Sequence, residues 1–275
     1  MYSINITTTS GRLSLCSATV WSLINQTFTP DAINIWISHE AYLADRGIQE
    51  IPAWVDYFNS LKNIIKIHYV KNTGPYRKII PALREAHPED VLIYGDDDVI
   101  YDSMWLETLI KAYIKNNGRH VVAARIRTKE KNILGFNKSY HLYGLSTTET
   151  NFSKGFIITG VGGCVIAKKH IRPELLELDD YLNLAPKTDD LWISKIIELS
   201  GTVVTSVPLA MNYVQEIKHE NNALSHINVV ANMRNTFLGR MSVKFYNRIL
   251  GYLGYPLSNN DLCMNKIDSF FDKNN

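Results

Sequence analysis

Cysteine is scarce in this chain of 275 residues: Cys16, Cys164 and Cys263 stand far apart and are odd in number. That excludes a disulfide framework and any cysteine-based metal spacing, and it fits a reducing cytosol. An excess of one charge is lacking too. The net charge is only +2, so charge gives no reason to expect a nucleic-acid partner. No apolar run approaches the roughly 20 residues that a membrane span needs. The opening Met1-Tyr2-Ser3-Ile4-Asn5-Ile6 has no basic region followed by a long apolar one, so no signal peptide is expected. Repeats and low-complexity segments are absent. Neither Gly-x-Gly-x-x-Gly nor Gly-Lys-Ser/Thr occurs, which argues against a dinucleotide dehydrogenase and a P-loop ATPase.

What is present is an ordinary globular composition, 45% hydrophobic and 20% charged, with the length for one large α/β domain or two small ones. The chain is organised around Val91-Leu92-Ile93-Tyr94-Gly95-Asp96-Asp97-Asp98-Val99-Ile100-Tyr101. Four apolar residues run into glycine and three carboxylates. The apolar run reads as a buried strand of a parallel sheet, and ligands of open α/β sheets sit beyond the carboxyl ends of such strands. Adjacent carboxylates repel one another unless a cation neutralises them, and oxygen-only ligands suit Mg²⁺ or Mn²⁺ bridging to substrate phosphates. An Asp-rich turn is the plainer alternative.

The flanking pattern is β-α-β. Tyr2–Thr8 reads as a first strand and Ser14–Asn25 as a helix, with Arg12 between them either as a phosphate contact or as a surface arginine. Ile33–Ser38 reads as the second strand, making a right-handed crossover unit. Glu40 at its end either touches a ligand or is solvated. A helix is expected within 48–61 after Pro52, a third strand over Ile64–Val70, and a helix over Tyr76–Ala86 with Pro81 in its first turn or kinking it. Arg77 and Lys78 fall near that helix start, a natural anion site or else a solvated face. Ser103–Lys115 reads as a helix with Trp105, Leu106, Leu109, Ile110 and Tyr113 inward.

Beyond a strand expected over His120–Ile126 the pattern degrades. Residues 127–153 are polar, Tyr-rich and of the kind that forms lids or binding loops. Gly160-Val161-Gly162-Gly163 allows close approach of backbone to a ligand, or a sharp hairpin. Asp189 and Asp190 open a clear helix. They serve either as N-terminal acids with Thr188 or Asp189 as cap, or one of them is a general base that takes the proton of a sugar hydroxyl. A last strand is expected over Gly201–Val207. Lys218-His219-Glu220-Asn221 and His226 offer histidines that reach back to a metal or are structural. Over 240–253, Met241, Phe245 and Ile249 share one helical face, with Arg240, Lys244 and Arg248 on another. That pattern fits an anionic membrane surface or packing on the domain. The tail after Tyr255 reads as loosely held.

Three stretches, in order, resemble the bacterial family-2-like glycosyltransferases of the GT-A fold, which assemble capsule, O-antigen and related surface glycans. Ser22-Leu23-Ile24-Asn25-Gln26-Thr27-Phe28 is similar to the family's Ser-x-x-x-Gln-Thr-aromatic helix end. Asn72-Thr73-Gly74 is similar to its Asn-x-Gly, and Gly95-Asp96-Asp97-Asp98 to its Asp-x-Asp metal motif. Together they cover about residues 4–110. The Thr-Gly-Val-Gly-Gly run and Asp189-Asp190-Leu191-Trp192 resemble a subgroup's acceptor and base region.

The resemblance implies an α/β fold with a mostly parallel central sheet flanked by helices. Residues 1–115 would form the nucleotide-sugar half, 116–215 the acceptor half, and 216–275 a C-terminal helical extension. It implies a metal-dependent, inverting transfer from a nucleotide-sugar, of the UDP type, to a glycan or lipid-linked glycan. The enzyme would be cytoplasmic, with peripheral contact at the inner membrane face through 240–253. Asp98 and Asp96 would bind Mn²⁺ or Mg²⁺. Thr8, Arg12, Glu40, Lys78, Asp96 and Asp97 would contact the donor, and Gly162, Gly163 and Trp192 the acceptor. Asp190, with Asp189, would carry the catalysis. The chain departs from the family in two places. Ser38-His39-Glu40 stands for the usual Asp-Asp-Gly-Ser, and Gln-x-x-Arg-Trp of processive synthases is absent, which points to single addition. A retaining transferase and a non-catalytic nucleotide- or glycan-binding domain are the other readings open at this point.

Overall fold

The computed structural model describes residues 1–217 and 237–274, with side chains of the second segment described over 245–273. Lys218, His219, Glu220, Asn221 and His226, and the side chains of Arg240, Met241 and Lys244, therefore lie outside the described residues. The chain begins with β1 (Tyr2–Thr7), α1 (Leu13–Ile24), β2 (Ala32–Ile37), α2 (Ala53–Leu61), β3 (Ile65–Tyr69), α3 (Ile80–Glu85), β4 (Val91–Tyr94), β5 (Val99–Tyr101) and α4 (Trp105–Lys115). It continues with β6 (Val121–Ala123), β7 (Ile126–Thr128), β8 (Gly144–Leu145), β9 (Asn151–Phe152), β10 (Phe156–Ile158) and β11 (Cys164–Ile166). Then come α5 (Pro173–Leu176), α6 (Tyr181–Leu184), α7 (Asp189–Leu199), β12 (Val204–Ser206), β13 (Val214–Glu216), α8 (Phe237–Tyr252) and α9 (Asn259–Asn274).

Eight strands form the central sheet in the order β3-β2-β1-β4-β11-β6-β12-β9. The β3-β2-β1-β4 run is parallel, and β11 lies antiparallel between β4 and β6. The chain lays β2 and β3 on one side of β1, then returns to place β4 on the other. That reversal opens a crevice at the carboxyl ends of β1 and β4, where such sheets bind ligands. Consecutive residues of β4 alternate between two apolar clusters: Leu92 and Tyr94 join Trp192, Phe156 and Phe271, whereas Ile93 joins Ile4, Val20 and Trp105. The sheet thus separates two cores, and β4, β6 and β11 carry apolar residues throughout because both faces are covered.

Three expectations are corrected. The helix read over Tyr76–Ala86 divides into a 3₁₀ turn, Gly74–Lys78, and α3, with Pro81 in the first turn of α3. A proline ring there clashes with the carbonyl four residues earlier, so one continuous helix cannot form. The strand read over His120–Ile126 ends at Ala123, and β7 leaves the main sheet to pair with β10 and β8. The tail after Tyr255 is not loose. In α9, Cys263, Met264, Ile267 and Phe271 share one face and are buried in the same core as Trp192. Asp261 at its start accepts hydrogen bonds from Ser139 Oγ (2.6 Å), Tyr140 N (2.6 Å) and Ser258 N (2.9 Å). Among the described residues, no helix is long and apolar enough to cross a membrane.

Candidate active site

A cleft of about 610 Å³ opens at the carboxyl ends of β1 and β4. Its floor follows from β4, which ends at Tyr94 and is followed by Gly95, where a Cβ would run into the Tyr101 hydroxyl. That buried tyrosine accepts the Asp96 N–H at 3.0 Å and donates to Val161 O at 3.3 Å, pinning the turn that presents Asp96, Asp97 and Asp98. Thr8, Arg12 and Lys78 line the same cleft.

The triplet is neutralised from within the chain. Arg12 Nη2 lies 2.5 Å from Asp97 Oδ1 and 2.8 Å from Asp98 Oδ2, and Lys78 Nζ lies 2.7 Å from Asp96 Oδ1. Burial pushes the Asp97 carboxyl up to about 6 against the opposing pull of Arg12. Arg77, which the sequence offered as an anion contact, is fully buried. It donates to Asp45 Oδ2 (3.0 Å), Thr8 O (3.1 Å) and Gly74 O (3.2 Å), tying the loop of Asp45 to the end of β1.

The second carboxylate group stands at the start of α7. Thr188 occupies the cap position but makes no side-chain capping bond. Asp189 Oδ2 lies 2.9 Å from Lys78 Nζ, so one buried ammonium joins the end of β4 to the start of α7. Burial acts to lower the Lys78 pKa, but Asp189, Asp96 and Asp190 outweigh it and hold the ammonium charged well above its usual value. Asp190 accepts the Gly160 N–H at 3.0 Å and, among the described residues, has no ion pair. Burial, then the charge of Asp189, raises its carboxyl well above the usual carboxylate range, against the pull of Lys78. Ser194 locks this turn: its hydroxyl donates to Asp190 O (2.6 Å) and accepts the Ile158 N–H (2.9 Å).

Of the residues singled out from the sequence, Thr8, Arg12, Lys78, Asp96, Asp97, Asp98, Asp189 and Asp190 meet in this cleft. Four others do not line it. Glu40 turns to the Asn72 loop, accepting Asn72 N at 3.2 Å. Trp192 is on the far side of α7, buried against Tyr181 and Phe271 with ring centroids 5.8 and 5.3 Å away. Gly163, at φ +85°, packs on the Trp105 ring, whose Nε1 donates to Gly162 O at 2.8 Å. The glycine at the charged cluster is Gly160, where a Cβ would sit 2.6 Å from Lys78 Nζ and 2.9 Å from Asp96 Oδ1.

The far wall holds Arg127, Tyr140 and His141, from the segment 127–153 read as a lid or binding loop. It also holds Arg125, and Ser258 and Asn260 around the start of α9, none of which was singled out from the sequence. Arg127 donates to Tyr143 O at 3.0 Å and its guanidinium lies 5.1 Å from the Tyr140 ring centre. Arg125 and Arg127 flank Ile126 at a spacing of two, which puts both on one face of an extended chain. That alternation was the available signal.

No group of three or more metal-ligating side chains is gathered among the described residues. Asp96 and Asp98, with side chains 31% and 25% exposed, nevertheless present oxygens to the cleft. A hard divalent cation takes one or two carboxylates and completes its shell with phosphate oxygens and water, so this donor set fits one. Arg12 already lies between Asp97 and Asp98 as a cation.

A model of glycosyl transferase family 2 matches residues 6–172. No curated protein matches the chain. Among solved structures, TarS 1–349 of S. aureus is similar at 14% identity and a TM-score of 0.42, covering 74% of this chain and 57% of its own. GalNAc-T7 with UDP, GalNAc and Mn²⁺ is similar at 14% identity and a TM-score of 0.48, covering 80% of this chain and 44% of its own. The chain thus spans about half the length of these two.

Proposed function

This chain belongs to glycosyl transferase family 2 and is a glycosyltransferase, and from that premise we propose an inverting transfer of a sugar from a UDP-type nucleotide-sugar to a glycan hydroxyl. The supporting observation is that one cleft brings the triplet after β4 and the pair opening α7 to opposite ends of a single ammonium, Lys78 Nζ, 2.7 Å from Asp96 and 2.9 Å from Asp189. A displacement with inversion needs those two functions side by side: charge where the leaving group departs, and a base where the hydroxyl attacks.

Asp189 has an oxygen committed to Lys78, which suits it to position the cluster. Asp190 is the base. Its carboxyl pKa lies above the usual range, so its carboxylate holds a proton more strongly than an ordinary aspartate does. As the acceptor oxygen bonds to the anomeric carbon, Asp190 takes the hydroxyl proton, and the bond to the diphosphate breaks with its electron pair leaving on the diphosphate oxygen. Arg12 and Lys78 supply positive charge on that side of the cleft. Mn²⁺ or Mg²⁺, held by Asp98 and Asp96, would stabilise the departing diphosphate. Arg125, Arg127, Tyr140 and His141 offer donors and ring faces to a glycan. The acceptor is a lipid-linked or lipopolysaccharide intermediate at the inner face of a bacterial cytoplasmic membrane, extended by one sugar in surface-polysaccharide synthesis.

Calorimetric titration of UDP and other nucleoside diphosphates, with and without Mn²⁺, on wild type and Asp98→Ala tests the donor site. Metal-dependent UDP binding that the variant loses is expected. Absence of nucleotide binding under every condition would overturn the proposal and favour a domain that binds glycan alone.

A further inference from the structure

We propose that the hairpin over 131–137 and the adjoining face of α8 form one docking surface for an anionic lipid bilayer. The hairpin is built with care yet buries nothing at its tip. Lys131 and Asn137 pair at its base, and Asn132 N donates to Phe136 O at 2.8 Å. The buried Asn132 amide oxygen accepts the N–H groups of Leu134 (2.9 Å) and Phe136 (3.0 Å), and Gly135 takes φ +84° to close the turn. What this ordered turn presents is Ile133, Leu134 and Phe136, which are 89%, 67% and 60% exposed. Single exposed apolar residues are ordinary, but three on one preformed tip are not.

The tip is continuous with α8. Asn132 Nδ2 donates to Tyr252 O at 2.9 Å, Ser139 N donates to Gly251 O at 2.8 Å, and Lys138 Nζ lies 5.4 Å from the Tyr252 ring centre. A Cβ at Gly254 would lie 3.5 Å from Phe136 Cβ. Along the described part of α8 and its end, Phe245, Ile249, Leu253 and Tyr255 are exposed as well. An apolar face mixed with tyrosines is the composition that settles at a membrane interface.

Charge selects the occupant. The segments 129–138 and 245–255 carry Lys129, Lys131, Lys138 and Arg248 against one acid, Glu130, which Lys138 engages at 2.7 Å. A basic rim around an apolar centre complements anionic lipid. The same rim opposes a second copy, because a two-fold interface sets each patch against itself and like charge against like. Tyr140 and His141, directly after the hairpin, line the cleft, so docking would bring the cleft's far wall to the lipid surface. Naming the lipid-linked acceptor as what is met there rests on the transferase reading; the surface itself does not.

Co-sedimentation with vesicles of phosphatidylcholine, alone or mixed with phosphatidylglycerol, tests the inference. The wild type is expected to pellet with the mixed vesicles, less so as salt rises, and weakly with phosphatidylcholine alone. A chain carrying Ile133→Ser, Leu134→Ser and Phe136→Ser should lose about tenfold or more of that binding with an unchanged thermal unfolding midpoint. Arg248→Glu should weaken binding to the mixed vesicles only. Wild type remaining in the supernatant with both compositions overturns the inference. So does equal pelleting of wild type and the triple variant, or a doubled mass in light scattering that the triple variant abolishes without any vesicle binding. Vesicle binding without nucleotide binding would leave this surface standing while removing the transferase reading.

Discussion

The triplet Asp96-Asp97-Asp98 and the pair Asp189-Asp190 are built from one residue type and share one cleft, yet their surroundings set them to different chemistry. Every member of the triplet has a cation: Lys78 for Asp96, Arg12 for Asp97 and Asp98. In the pair, Lys78 serves Asp189 alone, and Asp190 has a backbone N–H. A carboxylate with a fixed cation is placed for electrostatics, although burial still pushes Asp97 up to about 6 against Arg12. One that is buried beside a like charge with only a peptide donor holds its proton and serves proton transfer. The partner of each aspartate, rather than the aspartate itself, sorts the roles.

The sharpest way to break this contrast is Asp190→Asn. It keeps the size of the side chain and the Gly160 contact while removing the basic oxygen. We expect turnover to fall by about 10²–10⁴-fold with nucleotide affinity unchanged in titration. Full activity in the variant would return the choice to a retaining mechanism. The pH dependence follows the same group. Its folded pKa is raised, so its contribution to stability is fully present below the ordinary carboxylate range and is lost as pH rises toward the folded value. The rate moves oppositely, because the basic form appears over that same interval. Rate and unfolding free energy measured against pH should therefore run in opposite senses, and Asp190→Asn should flatten that interval in both.

Lys78→Met removes the ammonium that the two groups share and leaves Asp96 and Asp189 without an ion pair. Loss of one member of a buried charge cluster costs about 3–5 kcal/mol, to be read by urea unfolding at neutral pH. A loss no larger than that of an exposed pair would show that water already screens the cluster. The smallest effect belongs to Arg12. Arg12→Gln removes the resident cation from Asp98, so Mn²⁺ should bind the nucleotide-free protein about fivefold more tightly, on the scale of one partly exposed ion pair. Unchanged or weaker Mn²⁺ affinity by calorimetry would mean that Arg12 does not compete for that site.

How much of this was legible depends on how local the cause is. The strands and helices before Lys115 were read within a residue or two, except β5 and the stretch around Pro81, because apolar periodicity and turn residues are neighbours in sequence. The triplet stood out for the same reason. The roles of Lys78 and Gly160 did not, since they arise only when the end of β4, the Gly160 turn and the start of α7 are brought together. Glycines 162 and 163 drew notice as a run, but Gly163 packs against Trp105 and Gly162 against Met211, Ala124 and Arg125. Trp192 lies two positions after Asp190, and that spacing turns it to the other side of α7 and into the core. The helix α9 was hidden by its polar composition, although Cys263, Ile267 and Phe271 recur every fourth residue. The Arg125–Arg127 wall lies where the main strand gives way to a second sheet; the alternation about Ile126 marks the two arginines, but the change of partner that brings them to the cleft is not local.

The shared ammonium makes the cleft a coupled device. Whatever loads Asp96, whether a cation or the ribose of a donor, alters what Lys78 has left to give Asp189 and Asp190. Release of Lys78 toward the pair would lower the proton affinity of Asp190. Linkage is reciprocal, so the protonation of Asp190 must change donor affinity by the same factor. Proton exchange with the buffer on nucleotide binding, followed at fixed pH, would report how tightly the arrival of one substrate is tied to the readiness of the group that activates the other.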